Sequence, residues 1–218
     1  MRIPEPTDLM IDKKQCQVYN QSLLNSYDLV EYVNLYKNYL GITSGKIVDL
    51  GSGSCNFVIA LCLEFSDLTV DCYEASEEMI KLAEENIRQH NLADRIQIIK
   101  DNLLNATGNY GAVLINRVLH HIDDTEQLWK VVNDMSSNVF AIDLERPLEF
   151  SSLDRLFEVM ESMFDDIYVL DTRQSFMAAY TADEVREQIK NYGYNVLSMV
   201  TNLEPDIKYS KLIIYHTK

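Results

Sequence analysis

Val48-Asp49-Leu50-Gly51-Ser52-Gly53-Ser54 is a β-rich run that ends in paired glycines. Glycine at such a turn lets the backbone take positive φ and approach a ligand closely. In open α/β sheets ligands bind at the carboxyl ends of strands. A dinucleotide site would need a third glycine, G-x-G-x-x-G, with its pyrophosphate on a helix N-terminus; here that position is Asn56. Asp49 beside the turn would repel a pyrophosphate, and its carboxylate suits a cation. Glu74 directly follows a second β-rich run and has two oxygens to accept both hydroxyls of a ribose. Its other reading is a helix N-terminal acid stabilised by the macrodipole. Asp101-Asn102-Leu103 follows a third run and His120-His121 a fourth. Imidazoles titrate near neutrality and can take a proton from an acceptor. In the alternative, one histidine packs on a bound cofactor and the other bonds a loop carbonyl.

Apolar periodicity supplies the elements that position these residues. Gln15–Leu40 reads as one helix ended by Gly41, followed by a turn at Thr43-Ser44-Gly45. Strands are expected at 46–50, 68–73, 95–99, 111–115 and 138–142, with helices at 57–63, from Ser76 to about His90, and at 125–135. Such alternation implies a parallel sheet with right-handed crossovers. A helix near 182–192 precedes strands at 194–200 and 211–215, joined by a short loop containing Glu204-Pro205-Asp206, so these two should be antiparallel.

The turn resembles the first motif of class I S-adenosylmethionine (SAM)-dependent methyltransferases, [DE]-x-G-x-G-x-G, read here as Asp49, Gly51, Gly53 and Cys55. The last glycine has become cysteine, a position that varies in the family. The resemblance covers Ile47–Asp143 well, and the terminal hairpin supports it to Lys218. It implies an α/β fold: a Rossmann-like three-layer sandwich whose mostly parallel seven-stranded sheet ends in an antiparallel hairpin, with an N-terminal helical lid. One domain, 1–218, is expected, with the lid at 1–44 and a substrate-side insertion at 145–180. SAM is the implied cofactor, held by Asp49, Gly51, Ser52, Gly53, Glu74, Ala75, Asp101, Asn102, Leu103, Asn116 and Arg117. In the family the acid at Asp101 receives the adenine amino group, and a neighbouring backbone N–H reaches the ring. Met79 packs under adenine or simply in the core. The stretch Asn116–Asp123 lines the methionine half and begins the acceptor pocket; many members acting on small molecules carry a similar V-L-H-H-I run. His120, ahead of His121, is the expected base. Tyr19 and Tyr27 lie where members close a helix over the cofactor, and both are expected to touch the acceptor. Asp143, Glu145, Arg146, Arg173 and Tyr180 are the expected acceptor side, with methionines and aromatics between 148 and 180 that could form an adaptable apolar pocket.

The 218 residues suit one medium-sized core. Their net charge of −15, from 34 acidic and 19 basic side chains, disfavours a phosphate backbone, which needs Lys and Arg clusters. No Asn/Asp-Pro-Pro-aromatic motif or Pro-Cys nucleophile for base methylation is present. The four cysteines have no metal-ligand spacing and read as reduced thiols; no metal is expected. No stretch is long and apolar enough to span a bilayer. The expectation is a cytoplasmic enzyme, with a homodimer as the assembly considered, acting at nitrogen or oxygen of a small metabolite or peptide side chain. A non-catalytic SAM-binding or partner-activating subunit is the rival. Aminopropyl transfer lacks a paired-Asp signature, and a nicotinamide dehydrogenase is the outside choice.

Overall fold

A computed structural model describes residues 2–5, 10, 12–24, 28–204 and 207–216, with the side chains of 23, 24, 28, 203 and 204 left aside. The expected single N-terminal helix is two, α1 (Lys13–Leu24) and α2 (Asp28–Tyr39). Periodicity reads straight through residues 25–27, which lie outside the described residues. At the end of α2, Leu40 and Gly41 both donate to the carbonyl of Tyr36, with Gly41 at φ +67°. The expected turn at Ser44-Gly45 is instead the start of a strand.

Seven strands follow: β1 (Ser44–Leu50), β2 (Asp67–Glu74), β3 (Ile96–Lys100), β4 (Val113–Asn116), β5 (Val139–Leu144), β6 (Tyr194–Glu204) and β7 (Ile207–His216). They form one sheet in the order β3-β2-β1-β4-β5-β7-β6. The first five are parallel, and β7 pairs antiparallel with both β5 and β6. Every residue of β5 is buried, as a strand covered on both faces requires. One face carries α2, α3 (Asn56–Glu64) and α4 (Glu77–Gln89), whose core includes Tyr32, Tyr36, Phe57 and Phe140. The other carries α5 (Thr125–Met135) and α8 (Ala182–Ile189), packed around Trp129, Val132 and Val185. Both α5 and α8 start on side-chain caps, Asp124 and a Thr181–Glu184 capping box. Residues 145–180 contain α6 (Asp154–Met163) and α7 (Asp166–Ala178), which build their own apolar cluster with Leu144 and Ile207.

A buried polar knot joins α1 and α4 to the turn after β1. Asn86 Nδ2 reaches Asn20 Oδ1 (3.1 Å), the Ser54 carbonyl (3.0 Å) and Asn56 Oδ1 (3.3 Å). Asn56 Nδ2 donates to Asn20 Oδ1 (2.9 Å) and Ser54 Oγ (3.0 Å). The residue that stands where a dinucleotide site needs glycine is therefore part of the core. Replacing Asn86 by Ala leaves buried acceptors without donors, which costs about 1–3 kcal/mol. Urea unfolding should show that loss; a variant as stable as the parent would remove the knot from the fold's support.

Candidate active site

The backbone between β1 and α3 is pinned from β2. Gly51 N and Ser52 N both donate to the carbonyl of Tyr73, at 2.8 and 3.1 Å. Gly51 lies at φ +78°, and a Cβ there would stand 2.7 Å from Cγ2 of Val118, so glycine is required twice over. Gly53 also has positive φ, +52°. Cys55, at the last motif position, is left-handed at φ +61°, a backbone that costs a non-glycine residue about 1–2 kcal/mol. The carboxylate of Glu74 accepts from Gly53 N (2.7 Å) through Oε2 and from Ser76 N (2.8 Å) through Oε1. A carboxylate has about four lone-pair sites, so capacity remains for a ligand.

A cavity of about 410 Å³ opens above this turn, and a second of about 280 Å³ adjoins it beyond Glu74. Asp49, Ser52, Gly53, Met79, Asn116 and Arg117 border the larger. Asp101 and Asn102 border the smaller, and Gly51, Glu74, Ala75 and Leu103 border both. The structure thus gathers every cofactor-side residue singled out above around two adjoining spaces. Asp49 is only 2% exposed, and its Oδ1 has no hydrogen-bond partner. Burial, with the charge of Glu74 added, pushes the Asp49 carboxyl up to about 7. Asn116 Oδ1 is likewise buried without a partner. Unpaired polar atoms at such depth are costly, and both belong to residues that border the larger cavity. Asp101 Oδ1 accepts from Asn102 N (2.7 Å) and Asn105 Nδ2 (2.8 Å), fixing the loop after β3.

After β4 the chain turns at Arg117, at φ +56°, with its N–H on the Ile142 carbonyl (2.8 Å), and enters a 3-10 turn, Leu119–His121. His120 is buried. Its Nδ1 lies 2.6 Å from Asp143 Oδ1 and its backbone N 3.0 Å from Oδ2, while Leu144 N donates to Oδ1 (2.7 Å). Asp143 was expected to face the acceptor; it instead backs His120 from the end of β5. Burial opposes the Asp143 charge, but His120 and the two backbone N–H groups outweigh it and hold the carboxyl below its ordinary range. Burial also pushes the His120 imidazole below its usual value, with Asp143 opposing. A neutral ring whose Nδ1–H points at Asp143 keeps its lone pair on Nε2. His121 is exposed, its ring centroid 4.0 Å from that of His120, and it borders both cavities.

A third space, of about 20 Å³, is bordered by Glu5, Tyr19, Arg117, His120, His121 and Asp171, among others. Tyr19, on α1, also borders the large cavity, and burial pushes its phenol up to about 12. Tyr27 lies outside the described residues. Glu145, Arg146, Arg173 and Tyr180 border none of these spaces, contrary to expectation. Glu145 accepts from Ala182 N (3.1 Å) and Ser198 Oγ. Arg146 donates to the Ala179 carbonyl (3.0 Å) and Glu184 (2.6 Å), Arg173 pairs with Glu161 (2.8 Å), and Tyr180 OH donates to the Ile122 carbonyl (2.6 Å).

Sequence reasoning missed Glu5, an isolated acid between two prolines with no periodic signal. Arg2 anchors its segment through the carbonyls of Ala178 (2.6 Å) and His120 (2.8 Å), and Ile3 N bonds the Met177 carbonyl (3.0 Å). Glu5 Oε1 accepts from Ser175 Oγ (2.8 Å), and Oε2 lies against His121 Nδ1.

A family profile described as a methyltransferase domain matches residues 48–137. A bifunctional methyltransferase of Rickettsia typhi is 32% identical over 96 residues, 44% of this chain and 18% of its own length. A release factor glutamine methyltransferase of Dictyoglomus turgidum is 39% identical over 59 residues, 27% of this chain and 21% of that one. The chain therefore spans about one fifth of either curated relative. Among solved structures, the plantazolicin methyltransferase BamL, bound to a desmethyl analogue and SAH, superposes with TM-score 0.68 at 11% identity, covering 96% of both chains. Magnesium protoporphyrin IX methyltransferase from Synechocystis with SAH gives 0.61 at 13%, over 94% of this chain and 86% of that one. A SAM-dependent methyltransferase from Aquifex aeolicus gives 0.63 at 13%, over 94% and 97%. At such identities the structural likeness is one of fold. The matched stretch takes in the glycine turn and the unpaired Asp49 Oδ1, and the fold around them is that of the class I, Rossmann-like SAM-dependent methyltransferases.

Proposed function

We propose that this chain transfers a methyl group from SAM to nitrogen or oxygen of a small metabolite or a peptide side chain, acting in the cytoplasm as a single domain. The observation that carries this reading is the pair of unpaired buried oxygens, Asp49 Oδ1 and Asn116 Oδ1, in residues that border a cavity reaching from Glu74 to His121. SAM supplies an electrophilic methyl on a sulfonium. Asp49 and Asn116 are suited to its amino-acid end, Glu74 to the ribose, and Asp101 with the Asn102–Leu103 backbone to adenine. Tyr19 of α1 and Leu29 and Tyr32 of α2 border the cavity, which supports residues 1–44 as the cover that excludes water. Residues 145–180 contribute Tyr168, Asp171, Thr172 and Ser175 to the small space beside His120 and are proposed as the acceptor side. Most of the rate can come from holding acceptor and methyl close and in line. For an acceptor whose proton must leave, His120 Nε2 is the proposed base, with Asp143 fixing the tautomer. An unprotonated amine needs none. The acidic chain disfavours nucleic acid, and no helix among the described residues is long and apolar enough to cross a membrane. The structural neighbours include a magnesium protoporphyrin IX methyltransferase and a plantazolicin methyltransferase, so the fold is compatible with quite different acceptors.

Three outcomes test the reading. SAM and SAH should raise the melting temperature and NAD should not, by about 2.7 kcal/mol of stabilisation at a hundredfold excess over Kd; stabilisation by NAD alone overturns the assignment. Retained SAM with no labelled product across metabolite pools would favour the non-catalytic subunit.

Asp49 binds a proton below about 7 and attracts a cation only above it. SAM affinity measured calorimetrically should therefore rise as pH climbs through that value, and Asp49→Asn should bind more weakly with a flat profile. A wild-type profile as flat as the variant's would remove Asp49 from the amino end.

With the acceptor in hand, His120→Ala should keep SAM binding and lose about 10²–10⁴-fold in kcat if a proton must leave. Full activity of that variant would end the catalytic assignment.

A further inference from the structure

The geometry points to a divalent transition-metal site formed by Glu5, His120 and His121. One ligand atom from each residue can be chosen so that all three lie within 4.8 Å of one another. An ion held at zinc-like distances of about 2.1 Å separates tetrahedral ligands by roughly 3.4 Å, so modest side-chain rotation closes the set. Two imidazoles and one carboxylate are a donor set suited to zinc and its first-row neighbours, and three protein ligands leave a position open.

Three separate features support it. The first is the outer shell: Asp143 engages His120 Nδ1 at 2.6 Å, the carboxylate–histidine arrangement that orients a metal-binding imidazole and leaves Nε2 for the ion. The second is the placement of Glu5, whose Oε1 accepts from Ser175 Oγ while Oε2 is turned onto His121 Nδ1, so that a carboxylate oxygen already meets one of the two imidazoles. Its segment is held over the 3-10 turn by Arg2. The third is the space itself. The cavity of about 20 Å³ that these residues border holds about one water-sized body. Asp171 and Arg117 border it too, so with Glu5 and the Asp143 behind His120 the surrounding charge is net negative.

Glu5, Tyr19, Arg117 and His121 border both this space and the large cavity, so an ion here reaches the acceptor side. With His120 Nε2 on the ion that ring no longer acts as the base; the ion as a Lewis acid would hold an acceptor hydroxyl and favour its ionisation, the released proton passing to solvent. That consequence, an oxygen acceptor, rests on the transfer reading above; the site itself does not.

The test uses the full chain stripped with chelator and titrated with zinc, and with cobalt for its visible absorption. One equivalent should bind with a dissociation constant below about 10 µM, a range ordinary for such donor sets. Glu5→Gln and His121→Ala should each weaken binding at least about tenfold, and Asp143→Asn by about 10–100-fold, all checked for folding by thermal melting. Asp49→Asn should weaken SAM but not zinc, which separates failure of the metal site from failure of the cofactor reading. The absence of stoichiometric binding to folded wild type would overturn the site, as would equal zinc affinities in wild type, Glu5→Gln and His121→Ala.

Discussion

Glu74 ties the turn after β1 to the start of α4, with Gly53 N at 2.7 Å on one carboxylate oxygen and Ser76 N at 2.8 Å on the other. Charge-assisted bonds of this kind are short and about twice as strong as neutral ones. They complete what the Tyr73 carbonyl begins, since it receives both Gly51 N and Ser52 N. The floor of the large cavity is therefore set by β2 as much as by β1. Asn20, Asn56 and Asn86 lock the same turn from beneath through α1 and α4. A cofactor arriving here meets backbone whose conformation is already fixed, so little ordering entropy remains to oppose binding.

The chain treats its buried acids unequally. Asp71, on β2 beside β1, is met by Lys46 (2.7 Å) and Tyr110 OH (2.8 Å). Asp143 takes three N–H donors. Even the deeply buried Lys211 has Glu31 at 2.6 Å and the rings of Tyr32 and Tyr209 beside it. Against that background the unpaired oxygens of Asp49 and Asn116 stand out, because an unsatisfied buried polar atom costs stability and is retained where a ligand can supply its partner. Backbone strain follows the same map. Among the non-glycine residues with positive φ, Met10 and Arg117 border the large cavity and Cys55 closes the turn that forms its floor, and such outliers cluster at functional sites.

The motif-bearing loops were legible because their chemistry is local. A β-rich run, two glycines and a capped helix within a few residues admit few geometries, and the next two strands each end in a recognisable acid. The antiparallel terminal hairpin was legible from a loop too short for a crossover. Less was legible on the acceptor side. Glu145 and Arg146 looked available after β5, yet α8 and its preceding turn offer them better partners, and competition between partners is decided only in three dimensions.

Sequence by itself determined the βα rhythm, the glycine turn, and the residue types at each strand end, because periodicity and turn chemistry act over neighbouring residues. Tertiary structure alone decided that Asp143 backs His120, that Glu5 reaches the histidine pair, and that Asn56 serves the core. These contacts join segments remote in the chain, and no local pattern encodes them: they exist only once the sheet has ordered its strands and α7 has given the N-terminal segment a surface to lie on.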